Sequence, residues 1–324
     1  MKSIKTIFLG VFTIISINGA FGQQMPQYSQ YLRNQFMINP GSAGIYNFTD
    51  ITLSGRMQWV GFENAPITSY ASFTKVIGKE KVIYNPSLRT GSGPVKNPDI
   101  KTGKFKQAIG GQLVTDQYGA FSKLNLSGTY AIHIPMSKSV NLSFGAKLGY
   151  NNNSFNRNKA VALNQGTDQV YQEFTNTNLN RNLINIGSGL YLYSNKFFLG
   201  LSAENLTKDM IAFGSGVINF DTKIHTNITG GYKLKLNSNL TLTPSFLVQY
   251  MSPSPMSTAV SMQLEFKEWL WCGLSYRNKD AVIGMLGMNI SNRFKLGYSY
   301  DFSVSRFNSV ASGGHELVLG IMLR

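Results

Sequence analysis

Three histidines, one cysteine and a thin scatter of carboxylates are the residues of this chain that could do chemistry. His133, His225 and His315 lie far apart in sequence, and none has a partner at a metal-ligand spacing such as H-E-x-x-H. His315-Glu316 is a lone dipeptide after Gly313-Gly314, with a structural or pore role expected at the start of a strand. Neither a G-x-S-x-G elbow nor a P-loop occurs. No catalytic set, metal site or cofactor is read from the sequence, and an enzyme is not expected. Cys272 is single, so no internal disulfide can form; inside an apolar stretch it reads as a small filler.

What the polar residues do share is a parity. Arg56, His133, Lys147, Glu204, His225, Lys233, Lys235, Glu265, Lys295, Asp301 and Glu316 all fall between apolar residues that repeat at every second position. The stretch Leu124–Tyr150 shows the pattern best. Leu124, Leu126, Gly128, Tyr130, Ile132 and Ile134 alternate with polar or small residues, and so do Val140, Leu142, Phe144, Ala146, Leu148 and Tyr150. A period of two puts one set on one face of a strand. Pro135-Met136-Ser137-Lys138 then reads as the turn of a hairpin.

About fourteen such strands follow one another from Phe48 to the end, most of about 10–12 residues. Soluble sandwich strands are nearer about 5–6 residues, whereas about 9–11 tilted residues cross a bilayer. Lipid offers no water to unpaired backbone groups, so such a sheet must close. The fold expected is all-β: a closed antiparallel up-and-down transmembrane β-barrel with both termini periplasmic. Short even-to-odd connections (Ser194-Asn195, Asn237–Asn239, Lys267-Glu268, Ser291-Asn292) alternate with longer ones (Asn151–Arg181, Thr207–Asp221, Ser303–Gly314). That is the asymmetry of periplasmic turns and extracellular loops. The long Gly78–Gly103 stretch breaks the alternation, through either a miscounted strand or a periplasmic insertion. Tyr150, Tyr250 and Tyr300 at one end, with Phe197, Phe266 and Phe294 at the other, read as two aromatic girdles.

Domain boundaries follow. Lys2 and Lys5, the apolar run Ile7–Ile17 and Ala20-Phe21-Gly22 make residues 1–22 a cleavable secretory signal peptide. Residues 23–47, polar and carrying the turn signal Asn39-Pro40-Gly41-Ser42, form a periplasmic or plug segment, and 48–324 the barrel. A fourteen-strand interior is too wide for side chains alone to fill, so it is either a channel or plugged. The net charge of +15 comes without a basic helix or an aromatic-basic motif, which argues against nucleic acid. Contact with an anionic surface or acidic partner stays open beside solvated loops and a basic lumen.

These residues, in order, resemble the PorP/SprF family of Bacteroidetes outer-membrane proteins. The resemblance is carried by Gln27-Tyr28-Ser29-Gln30-Tyr31, Asn39-Pro40 with Ala43-Gly44, Arg56-Met57-Gln58-Trp59-Val60-Gly61, and Tyr130 to Pro135. Later pieces are Phe198-Leu199-Gly200-Leu201-Ser202, Gly297-Tyr298-Ser299-Tyr300-Asp301 and Gly313-Gly314-His315-Glu316. The resemblance implies an outer-membrane role in type IX secretion or gliding motility. The barrel would serve as an anchor or platform for periplasmic motor or peptidoglycan-linked components, or for a large secreted adhesin. A diffusive porin or a small-solute transporter is the alternative, and a soluble secreted β-rich binding protein a third reading. Asn39, Pro40, Arg56, Gln58 and Trp59 are the candidate partner or plug contacts, with the Arg56–Trp59 strand holding the N-terminal segment at the periplasmic mouth. His133, Lys147, Glu204, His225, Lys233, Lys295, Asp301 and Glu316 are the candidate lumen lining.

Overall fold

Alternation of apolar and polar residues builds one closed sheet. A computed structural model describes residues 27–78, 100–156, 159–160, 172, 180–208, 210–213, 222–291, 293–304 and 312–323. Residues 1–26, on which the expected signal peptide falls, most of the Gly78–Gly103 stretch and Arg324 lie outside the described residues.

Fourteen long strands run in order: β1 Thr49–Met57, β2 Ile67–Ile77, β3 Lys106–Tyr118, β4 Phe121–Pro135, β5 Val140–Phe155, β6 Asn180–Ser194 and β7 Phe197–Glu204. They continue with β8 His225–Tyr232, β9 Leu240–Met251, β10 Ser257–Phe266, β11 Leu270–Arg277, β12 Ala281–Asn289, β13 Phe294–Ser303 and β14 Gly314–Leu323. Two short pieces are added: Ala212–Phe213 on β6, and Leu234–Lys235 on β9. Each strand pairs antiparallel with its neighbours in sequence, and β1 closes on β14 from Thr49↔Leu323 to Met57↔His315. Among the described residues no helix is long and apolar enough to cross a membrane.

β2 and β3 pair directly, from Ile67↔Gln117 to Ile77↔Gln107, so no strand was miscounted between them. Their connection, 78–105, opens at the same mouth as 136–139, 195–196, 233–239, 267–269 and 290–293. We call this the short-turn mouth. The opposite mouth carries 58–66, 156–179, 205–224 and 304–313, together with the tight connections 119–120, 252–256 and 278–280.

The faces are inverted relative to a water-soluble protein. Leu126, Leu148, Val260, Leu274 and Leu286 point outward and are more than half exposed, Leu274 at 66%. His133, Ser143, Lys147, Ser299 and Glu316 point inward and are buried, His133, Ser143 and Ser299 completely. An apolar band of this extent exceeds by far the few hundred Å² that soluble proteins leave open, and hydrocarbon is the solvent that suits it. Tyr250, Tyr276 and Phe302 stand outward near one mouth, and Phe105, Phe266, Trp269 and Phe294 near the other. Cys272 is exposed on the outward parity of Leu270 and Leu274, so it faces lipid and fills no interior gap. β1 ends at Met57, and Trp59 sits in the following turn with φ +51°, outside the strand in which the sequence placed it.

Candidate functional site

The lumen is occupied by the chain's own N-terminal part. Residues 27–48 have no alternating pattern to place them in a sheet. They form turns and two short 3₁₀ helices, Gln35–Met37 and Pro40–Ser42. Tyr31, Phe36, Met37, Ile38, Ala43, Ile45 and Phe48 are all buried inside the barrel. The segment runs from one mouth to the other. Phe48 leads into β1 at the short-turn mouth, while Gln27 accepts from Arg277 Nη1 (2.7 Å) at the end of β11, at the opposite mouth; the first and last described residues, Gln27 and Leu323, therefore lie at different mouths and not on the one side expected for both termini.

At that opposite mouth the ends of β1, β11, β13 and β14 bring charges together. Arg56 Nη2 lies 2.7 Å from Asp301 Oδ2, and Nη1 lies 3.3 Å from Glu316 Oε2. Arg277 Nη1 is 3.4 Å from Asp301 and 2.9 Å from Asp280. Ser29 sits among them: its backbone N donates to Glu316 Oε2 (2.7 Å) and its Oγ to Asp301 Oδ1 (2.7 Å), while Arg56 Nη1 donates to that Oγ. With its amide oxygen turned inward, Gln58 accepts from Arg56 Nη2 at 2.9 Å. Buried charges at this depth persist because each is paired and further hydrogen-bonded.

Farther in, wall side chains bind the segment's main chain. Gln112 donates to Phe36 O (2.6 Å), Asn227 and Ser202 to Ile38 O, and Lys106 to Ile45 O (2.9 Å). His133 Nε2 meets Ala43 O at 2.8 Å, and its Nδ1 meets the Tyr193 hydroxyl at 2.9 Å. Tyr31 OH shares hydrogen bonds with Ser245 and Ser261. Arg33 pairs with Glu265 at 3.2 Å and stacks 4.3 Å from the Trp271 ring.

Asn39-Pro40 sits against β5, β6 and β7. Asn39 Nδ2 donates to Leu190 O (3.0 Å), and its Oδ1 accepts from Gly41 N (2.8 Å). The wall is glycine there because the turn presses on it: a Cβ at Gly145 would stand 2.3 Å from Pro40 C. The expectation that Asn39-Pro40 and the Arg56 strand act together at the periplasmic mouth is therefore corrected. Arg56 and Gln58 hold the Ser29 end at the mouth opposite the short turns, Trp59 lies in a turn beyond them, and Asn39-Pro40 is a separate anchor on the β5–β7 wall.

The other lumen candidates form local pairs. Lys147 meets Glu204 at 2.6 Å, His225 stands across from Glu204 in the β7–β8 ladder, and Lys295 meets Asp50 at 3.0 Å. Lys233 and Lys235 lie in the 233–239 connection. Sequence reasoning missed the aromatic part of the lumen. Tyr70, Tyr191, Tyr193, Phe198 and Trp271 point inward and pack around the segment. A signal was present: in Leu190-Tyr191-Leu192-Tyr193 both parities are apolar or aromatic. Voids of about 20 Å³ beside Arg33, Asp50 and Ser72, and of about 10 Å³ beside Tyr31 and Arg277, are about water-sized. Among the described residues no group of three or more His, Cys, Asp or Glu is placed to hold a metal.

A family model for the type IX secretion system membrane protein PorP/SprF matches residues 20–321. The chain belongs to the PorP/SprF family. Membership and the barrel together place this PorP/SprF protein in the outer membrane, and no enzyme family is indicated. Among solved structures it is similar to the "TodX deltaS2S3 mutant monoaromatic hydrocarbon channel", at 9% identity over 92% of this chain and 95% of that one, TM-score 0.51. It is also similar to the Pseudomonas putida toluene transporter TodX, at 8% identity over 93% and 94%, TM-score 0.50. At that identity the likeness is one of fold alone. No curated protein matches the chain.

Proposed function

We propose that this PorP/SprF barrel is a self-plugged outer-membrane platform of the type IX secretion and gliding machinery. The signal peptide exports it from a Bacteroidetes-like cell, and the short-turn mouth faces the periplasm. There it docks motor or peptidoglycan-linked components, while the longer loops serve a secreted surface adhesin. The observation that carries the platform over the pore is the segment 27–48, bonded along the lumen to wall groups from β1 to β14. A polar lumen held shut by its own chain suits anchoring better than solute flow. The fold likeness to TodX favours a transporter only at the level of architecture, because the groups facing this lumen are mostly polar.

Planar-bilayer recording tests the choice. The full chain is expected to give no steady current, and a variant lacking residues 27–37 to give stable openings. Large openings from the intact chain would favour the diffusive porin. Copurification from outer membranes in mild detergent addresses the partners: recovery of neither type IX motor proteins nor a large adhesin would remove the platform role.

A further inference from the structure

The net charge of +15 is not spread evenly over the barrel. Among the described residues, the connections at the short-turn mouth hold eight Lys and Arg against one acidic residue, Glu268; those at the opposite mouth hold four against two. Every hairpin of the short-turn mouth contributes an exposed cation: Lys104, Lys138, Lys196, Lys235, Lys267 and Arg293 in turn. The cations therefore encircle the rim and do not gather on one side. They also sit beside the aromatic belt of the short-turn mouth: Phe105, Phe266 and Phe294 are outward-facing neighbours in sequence of Lys104, Lys267 and Arg293. Lys267 Nζ lies 5.2 Å from the Phe266 ring centroid, and Lys75 is exposed on the lipid parity of Phe73 and Ile77 near the same mouth.

We infer that this rim is a binding surface for anionic glycerophospholipid headgroups, seated where the aromatic belt meets water. Several turns are only a few residues long, so their cations reach headgroup depth and little farther. A basic side chain near an anionic leaflet gains affinity by a factor of about five, the equivalent of about 1 kcal/mol. A ring around the whole circumference fits a surrounding leaflet, whereas a docked acidic protein calls for a patch. The same ring explains why so basic a chain lacks a nucleic-acid motif.

The test uses the full chain in mixed micelles of phosphatidylethanolamine and phosphatidylglycerol, with retained lipid read by native mass spectrometry. The wild type is expected to retain phosphatidylglycerol several-fold above its share of the micelle, and to lose that enrichment at high salt. The charge-reversed set Lys138→Glu, Lys196→Glu, Lys267→Glu and Arg293→Glu should lose it. Reversal of Lys159, Lys208 and Lys279 at the opposite mouth should keep it. The neutral set K138Q, K196Q, K267Q and R293Q covers the case in which reversal prevents folding, and heat-modifiable gel mobility reports the folded barrel for each. Equal phosphatidylglycerol retention by wild type and rim variants overturns the assignment. So does a rim variant that keeps its lipid but loses a photocrosslink from a probe at the exposed, unmutated Ser139 to an acidic protein in intact cells, which would make the occupant a protein.

Discussion

Arg56 shows how one side chain serves two elements. It belongs to β1, yet its guanidinium reaches Asp301 on β13, Glu316 on β14 and Ser29 of the lumen segment. Removing one member of a buried charge group costs about 3–5 kcal/mol, because the remaining charges are left short of partners. The barrel need not pay with its seam, since the β1–β14 ladder runs from Thr49 to Met57 without Arg56's side chain. The segment is the weaker party. Arg56→Ala should therefore leave the barrel folded while amides of 27–33 exchange with solvent at least about tenfold faster, and amides of 38–45 exchange as before. Arg56→Lys should restore part of the protection. Unchanged exchange at 27–33 in Arg56→Ala would show that the charge group does not hold this end. The sequence made Arg56 a candidate from its parity, but it could not show that Ser29, 287 positions from Glu316, completes the group.

At the scale of elements, the barrel and the segment differ in how much of each was legible. Strand number, order and facing follow from a period-two pattern and from turn residues, both local properties. β5 begins at Val140, where the alternation after the Pro135–Lys138 turn placed it. The path of the segment is not local. It is fixed by wall groups such as Gln112, His133 and Asn227 bonding to its main chain, and main-chain bonding leaves no mark on the segment's own composition. The wall does carry marks. One is Gly145, opposite Asn39-Pro40, which the alternation placed only among the small or polar residues of a strand. Gly145→Ala would put a methyl 2.3 Å from Pro40 C and 2.5 Å from Gly41 N, backbone atoms with little room to move. Overpacking of this kind costs about 1–3 kcal/mol. The expected result is a lower urea midpoint and protease cleavage between residues 35 and 45, with the barrel's heat-modifiable mobility retained. Cleavage no faster than wild type would mean that the wall yields and the segment stays.

For the whole molecule, everything turns on which solvent meets the apolar face. Two stacked sheets would have buried Leu126, Leu148 and Leu274 between them; in the closed barrel these are among its most exposed residues and the charged ones are hidden. The three tryptophans offer a direct reading of that inversion. Trp269 is half exposed outward beside the short-turn belt, whereas Trp271, two residues on, is buried in the lumen against Arg33. The step of two would normally keep both on one face, but Trp269 lies in the 267–269 connection before β11 begins, so the strand alternation does not bind it. Variants retaining only Trp269 or only Trp271, reconstituted in bilayers with brominated acyl chains, should separate cleanly. Bromine quenches an indole only at short range, so Trp269 emission should fall by about half or more while Trp271 emission stays within about a tenth of its value in unbrominated lipid. Comparable quenching of both would place Trp271 against hydrocarbon, and with it the lumen that the segment is taken to fill. Quenching of neither would remove the bilayer from the apolar face altogether, leaving the exposed leucines without a solvent that suits them.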